Sequence, residues 1–109
     1  MTSEIIYKGK DNPVTVELKE DGVVMDFSAV TRMTLDLIGS GLVFDSDVTA
    51  SLIDWSQGSG KVVFNINDEA VAVGSYRGRL IAYDALHTDG QVLTHEKCGP
   101  FLTFEFKSA

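Results

Sequence analysis

At 109 residues the chain has the length of one domain and can bury roughly 65% of the surface its unfolded form exposes. Its 16 acidic residues outnumber 9 basic ones, and the net charge of −7 is spread without a basic cluster among the lysines. Such a chain repels phosphate backbones and anionic bilayers, which excludes nucleic acid and membrane as partners. A hydrophobic fraction of 44% is that of a folded globule, not of a disordered segment. No apolar run approaches the roughly 18 residues of a spanning helix. Met1 to Tyr7 lacks the basic and apolar stretches of a secretory signal, so synthesis in a cytoplasm without export is expected. Cys98 is the only cysteine; it can form no disulfide within this chain and reads as a small apolar side chain.

The first periodic segment, Pro13 to Glu20, alternates and places Val14, Val16 and Leu18 on one face. Asp21-Gly22 follows, and Asp-Gly between apolar runs marks a two-residue hairpin because both central positions take positive φ. The return runs through Val23 to Phe27, and Ser28-Ala29-Val30 reads as a loop. Thr31 to Ile38 alternates again, with Met33, Leu35 and Leu37 inward, until Gly39-Ser40-Gly41 breaks it. Val48 to Ile53 is a weaker strand candidate, closed by the polar stretch Asp54 to Gly60.

Gly60 to Ile66 and Tyr76 to Tyr83 carry the clearest period-two pattern, with inward rows Val62, Phe64, Ile66 and Tyr76, Leu80, Ala82. Asp68 to Ser75 between them reads as a corner, and Asn67 to Val73 has room for a helical turn at most. Asp89-Gly90 predicts a second hairpin turn into Gln91 to His95, with Thr88 opposite Gln91. Phe101 to Lys107 is the last strand, with Leu102, Phe104 and Phe106 on one side. Turn signals at such short intervals predict an all-β fold: one immunoglobulin-like antiparallel β-sandwich of about 8–9 short strands over residues 1–109.

No residue set reads as a catalytic centre: the chain has no matched acid and base, and no Ser-His-Asp or Cys-His set in a supporting pattern. Gly58-Ser59-Gly60-Lys61 resembles the end of a phosphate loop, but Trp55 stands where the first glycine belongs and Val62 where Ser or Thr would hold Mg²⁺. Asp45 and Asp47, with Asp36 and Asp54, supply oxygen for a calcium site without the glycine and terminal glutamate of an EF-hand loop. His87 and His95 flank the Asp89-Gly90 turn, and Asp89 or Glu96 could complete a metal set, though no third ligand has the right spacing. Trp55, Tyr7, Tyr76 and Tyr83 would make a sugar-stacking platform if they shared one exposed face. No cofactor is expected. Tyr76, entering its strand after a corner, is placed to return its hydroxyl to backbone a few residues upstream.

Val16 to Ser28 reads as strand, Asp-Gly hairpin, short return and Asp-Phe-Ser loop, ahead of Thr31-Arg32-Met33-Thr34-Leu35. Gly60 to Ile66 follows, then Gly74-Ser75-Tyr76-Arg77-Gly78-Arg79-Leu80, with Asp84 closing the strand. Together these segments, from Gly9 to Asp84, resemble the small immunoglobulin-like modules of tailed-bacteriophage virion proteins, especially the N-terminal domain of baseplate upper proteins. Those domains usually head a longer polypeptide, whereas this sequence stops at Ala109, which suits a stand-alone virion component or a piece of something longer.

The resemblance implies a non-catalytic structural and docking module in the tail, baseplate or neck of a virion. It would partner itself as a homo-oligomer, or other virion proteins, through strand edges and loops. On that reading the row Arg77, Arg79, Ile81 and Tyr83, opposite the core face, is the expected interface. A small carbohydrate- or calcium-binding sandwich is the alternative.

Overall fold

Apolar rows two residues apart need a partner surface, and the chain supplies it by folding into two facing sheets. The computed structural model describes residues 2–10, 14–20, 22–48, 52–56, 60–66, 71–94 and 102–108. All regular elements among these are strands: β1 (Thr2–Lys8), β2 (Val14–Glu17), β3 (Lys19–Glu20), β4 (Val23–Val24), β5 (Arg32–Ile38), β6 (Leu42–Asp45), β7 (Ile53–Asp54), β8 (Lys61–Phe64), β9 (Gly74–Tyr83), β10 (Gln91–Val92) and β11 (Leu102–Ser108). A large sheet runs β1-β11-β9-β5-β6, with β10 also paired to β9; a small sheet runs β2-β8-β7; β3 and β4 form a separate hairpin.

The inward rows of the two sheets make one core. Met33, Leu35 and Leu37 of β5, Leu80 of β9, and Phe104 and Phe106 of β11 are fully buried against Val16, Val62 and Phe64 of the small sheet. Phe64 and Phe104 meet edge to face across the interface, ring centroids 5.1 Å apart, the geometry aromatic quadrupoles favour. The radius of gyration, 13.1 Å, is that of a fully packed chain of this length, about 13 Å.

Several expectations need correction. The described strands number more than nine because the backbone breaks into short pieces such as β3, β4, β7 and β10. Pairing is not wholly antiparallel: β1 lies parallel to β11, with Ile6 beside Phe106. Neither β1 nor β6 stood out in the sequence. Of the strand expected over Val48 to Ile53, Val48 lies in a turn, residues 49–51 fall outside the described residues, and only Ile53–Asp54 pairs with β8.

Lys19 pairs Val24 and Glu20 pairs Val23, so β3 and β4 form hairpin arms on either side of the expected turn. Leu18 extends this ladder and anchors it. Its N–H donates to the Gly60 carbonyl (2.8 Å) and its carbonyl accepts from Met25 N–H (3.0 Å), which fastens the hairpin to the start of β8. A Cβ at Gly60 (φ +69°) would come within 2.6 Å of the Leu18 oxygen, so only glycine fits there.

The second hairpin is also longer than Asp89-Gly90 predicts. Ala82, not Thr88, opposes Gln91, so the loop spans 84–90. Asp84 Oδ1 accepts from the backbone N–H groups of Leu86 (2.9 Å) and His87 (2.8 Å), building an Asx-type turn well before the glycine. The Asn67 to Val73 turn falls partly outside the described residues, as do Asp21, Gly58, Ser59, His95, Glu96, Cys98 and Phe101.

Strand β9 is the hub. One edge pairs with β5 from Arg77 to Tyr83; the other pairs with β11 over Gly74–Arg77 and with β10 at Ile81 and Ala82. Between β11 and β10 the buried Thr94 fills the gap: its hydroxyl donates to the Gly78 carbonyl (2.7 Å) and accepts from Leu80 N–H (2.9 Å). Thr94→Val strands both backbone groups out of reach of water and should lower stability by about 2–4 kcal/mol in urea unfolding, while Thr94→Ser keeps most of it.

Candidate functional site

The second row of β9 points away from the core, so Arg77, Arg79, Ile81 and Tyr83 lie on the outer face of the large sheet, exposed or half-buried. Register supplies their neighbours. On β5, Ile38 stands beside Arg77, Asp36 beside Arg79, Thr34 beside Ile81 and Arg32 beside Tyr83. Val92 flanks Ile81, Val43 continues past Asp36, and Ile5 and Tyr7 join through Glu105 and Lys107. Ile5, Tyr7, Val43 and Val92 are 42% to 60% exposed. Wetted apolar side chains interleaved with Arg32, Arg77 and Arg79 give this face the composition of an interface.

Part of the face is held rigid. Arg32 grips Asp45 with both prongs, Nε to Oδ1 at 3.0 Å and Nη2 to Oδ2, while Nε also lies 3.5 Å from Asp47. The same guanidinium stacks over the Tyr83 ring, 4.6 Å from its centroid, fixing that aromatic against β5. The Arg32 hydrogen bonds hold the Asp45 carboxyl below its ordinary range, outweighing partial burial; the Asp47 N–H adds to the effect. The carboxylate oxygens of Asp45 thus already serve a cation of this chain. Asp54 accepts from Ser56 N–H at 2.8 Å on the small sheet, away from Asp45. Among the described residues, no three His, Cys, Asp or Glu side chains converge on a metal position. His87 Nδ1 lies 2.9 Å from Asp84 Oδ1, and its expected companion His95 is outside the described residues.

The four candidate sugar-stacking aromatics do not share a face. Tyr7 and Tyr83 are on the outer surface of the large sheet, but at separate strands. Tyr76 turns inward against Phe106, with ring centroids 5.9 Å apart, and its hydroxyl donates to the Ala72 carbonyl at 2.9 Å. Trp55 packs on the core and donates through Nε1 to the Val30 carbonyl at 3.3 Å. Of the phosphate-loop fragment, Gly58 and Ser59 lie outside the described residues, and Lys61 opens strand β8.

Sequence reading missed a second feature. Where the 25–30 loop meets the ends of β9 and β10, Phe27, Val30, Ala82 and Leu93 line a cleft of about 200 Å³ edged by Asp26 and Asp84. A shallower hollow of about 340 Å³ adjoins it, between Asp26, Ser28, Trp55 and Ser56. Three loops far apart in sequence build this end, so no local motif announces it. No protein-family model, curated protein or solved structure matches the chain.

Two measurements follow from this geometry. Tyr76→Phe should keep the fold and cost about 1 kcal/mol, read as a lower urea midpoint; equal midpoints would mean that the Ala72 bond adds nothing. Asp45 has a folded-state pKa below its unfolded one, so its contribution is complete above about pH 4 and fades as pH falls through the folded value. Urea midpoints taken from about pH 6 to pH 2 should therefore fall less steeply for Asp45→Asn than for the wild type.

Proposed function

We propose that this chain is an immunoglobulin-like docking module of a tailed-bacteriophage or prophage virion, working in the tail, baseplate or neck by protein–protein assembly and not by catalysis. The observation that carries the reading is the outer face of the large sheet, where exposed Ile5, Tyr7, Val43 and Val92 surround the arginine row of β9. Arginine and tyrosine among apolar side chains supply anchors for a partner surface, and a flat sheet face offers the area.

Strand order supports the immunoglobulin-like part. The large-sheet run β11-β9-β5-β6 corresponds to strands G, F, C and C′, and β2-β8-β7 to B, E and D. Tyr76 near the start of β9, bonded to the carbonyl four residues upstream, corresponds to the tyrosine corner of that fold. Two residues on, where antibody domains carry the second cysteine, this chain has Gly78. A methyl there would sit 3.1 Å from both Leu35 and Phe104, so packed side chains occupy the space a disulfide would take.

The second reading is a carbohydrate-binding module, favoured by one observation: Trp55 lines a hollow with Asp26, Ser28 and Ser56. It requires a rise in melting temperature with added sugar. The docking reading requires instead that the double variant Arg77→Glu, Arg79→Glu abolish assembly, followed by light scattering and by co-purification with virion proteins, while leaving thermal unfolding unchanged. Undiminished assembly would move the interface to another surface.

A further inference from the structure

Building on the docking reading, we propose that the outer edge of β1 pairs antiparallel with β1 of a second copy about a two-fold axis at Ile6, so that the large sheets of the two copies run on as one. Strand β1 ends the large sheet: β11 pairs with one of its edges and, among the described residues, no strand pairs with the other. It is seven residues long, and its outward Ile5 and Tyr7 are 45% and 42% exposed. An edge of that length and character is a template for another strand unless something blocks it. Glu4 and Lys8 stand where a block would be, on the inward row either side of the buried Ile6. Register sets Glu4 beside the fully buried Phe104, and partial burial raises its carboxyl above the ordinary range. Among the described residues neither Glu4 nor Lys8 makes an ion pair.

The two charges have opposite sign and are placed symmetrically about Ile6. A two-fold axis there sets Glu4 of each copy opposite Lys8 of the other, and Ile5 opposite Tyr7 on the outer face. Each of these pairs occurs twice, and both are of kinds that stabilise antiparallel strands: opposite charges, and an aromatic against a β-branched side chain. Other registers lose them. A shift of two residues one way sets Glu4 against Ile6. The same shift the other way sets Ile6 against Lys8 and carries Glu4 past the strand's end, where the chain turns at Gly9 (φ +74°) and Lys10 N–H bonds the Tyr7 carbonyl at 3.2 Å. A parallel pair in register would put Glu4 on Glu4 and Lys8 on Lys8. The charges therefore act as a register key, refusing a foreign strand and admitting this one. The contact is isologous and closes at two copies. It also brings both outer faces to the same side, with Ile5 and Tyr7 of each copy at the middle of a doubled docking surface.

The test is a charge swap measured by sedimentation velocity on the full chain. Glu4→Lys and Lys8→Glu should each weaken the two-copy complex about tenfold or more, because each sets like charges opposite one another twice. The double variant Glu4→Lys, Lys8→Glu restores opposite signs in the same register and should recover wild-type association. Mixed in equal amounts, the two single variants should pair with each other, since every contact between them is then of opposite sign. Melting temperatures taken at a concentration where all the chains are monomeric check that each variant folds. Single variants that associate like the wild type overturn β1 as the seam, and a folded double variant that stays monomeric overturns the register. A wild-type chain that remains monomeric at high concentration overturns the second copy as occupant. Arg77→Glu with Arg79→Glu should keep the two-copy complex, neither side chain being on β1, while losing larger assembly and virion partners. Loss of the two-copy complex in that variant counts against the β1 seam, whereas retention of virion partners counts against the arginine row alone.

Discussion

The large sheet depends on keeping both edges of β9 hydrogen-bonded along its length. A buried amide or carbonyl without a partner costs more than an ordinary hydrogen bond contributes, so a strand with three neighbours cannot tolerate a gap between two of them. Here the gap falls at Gly78 to Leu80, between the end of β11 pairing and the start of β10 pairing. Thr94 closes it with one hydroxyl acting as donor and acceptor, and Leu93 N–H adds a 2.7 Å bond to the Leu80 carbonyl. With β9 continuous, Leu80 and Ala82 hold the core on one side, and Arg77, Arg79, Ile81 and Tyr83 form an unbroken row on the other.

Where a strand buries one face and wets the other, the sequence is easy to read. Met33, Leu35 and Leu37, or Leu102, Phe104 and Phe106, announce their faces by alternation alone, and each of them is buried. Strand β1 fails that rule because its pattern is inverted. At the sheet's edge its outward row holds Ile5 and Tyr7, while its inward row combines Ile6's neighbours Glu4 and Lys8 with a single apolar residue. Strand β6 is short and follows Gly39-Ser40-Gly41, which read as an end. In fact Ser40 Oγ donates to the Leu37 carbonyl and accepts from Leu42 N–H, turning the chain straight into the next strand. Leu42-Val43-Phe44 after that turn was a usable signal.

The surfaces were less legible than the core. The β9 row was visible as an alternation, but its apolar companions come from β1, β6 and β10, and only the sheet order shows that they share a face. Aspartates behaved similarly. Asp45 and Asp47 look like free oxygen ligands in one dimension; in three, Arg32 from the preceding strand reaches both. Asp26 and Asp84, nearly sixty positions apart, line one cleft that neither local sequence foreshadows.

The parallel pairing of β1 with β11 has a mechanical consequence. Thr2 lies beside Leu102, and Lys8 beside Ser108, so tension applied at the start of β1 and the end of β11 pulls the two strands past one another along their length. In that shear geometry the load is shared by the whole ladder, and its bonds must yield together. An antiparallel pair of terminal strands pulled from adjacent ends would instead peel open one bond at a time. The seam between β1 and β11 therefore resists tension along its strands as a unit.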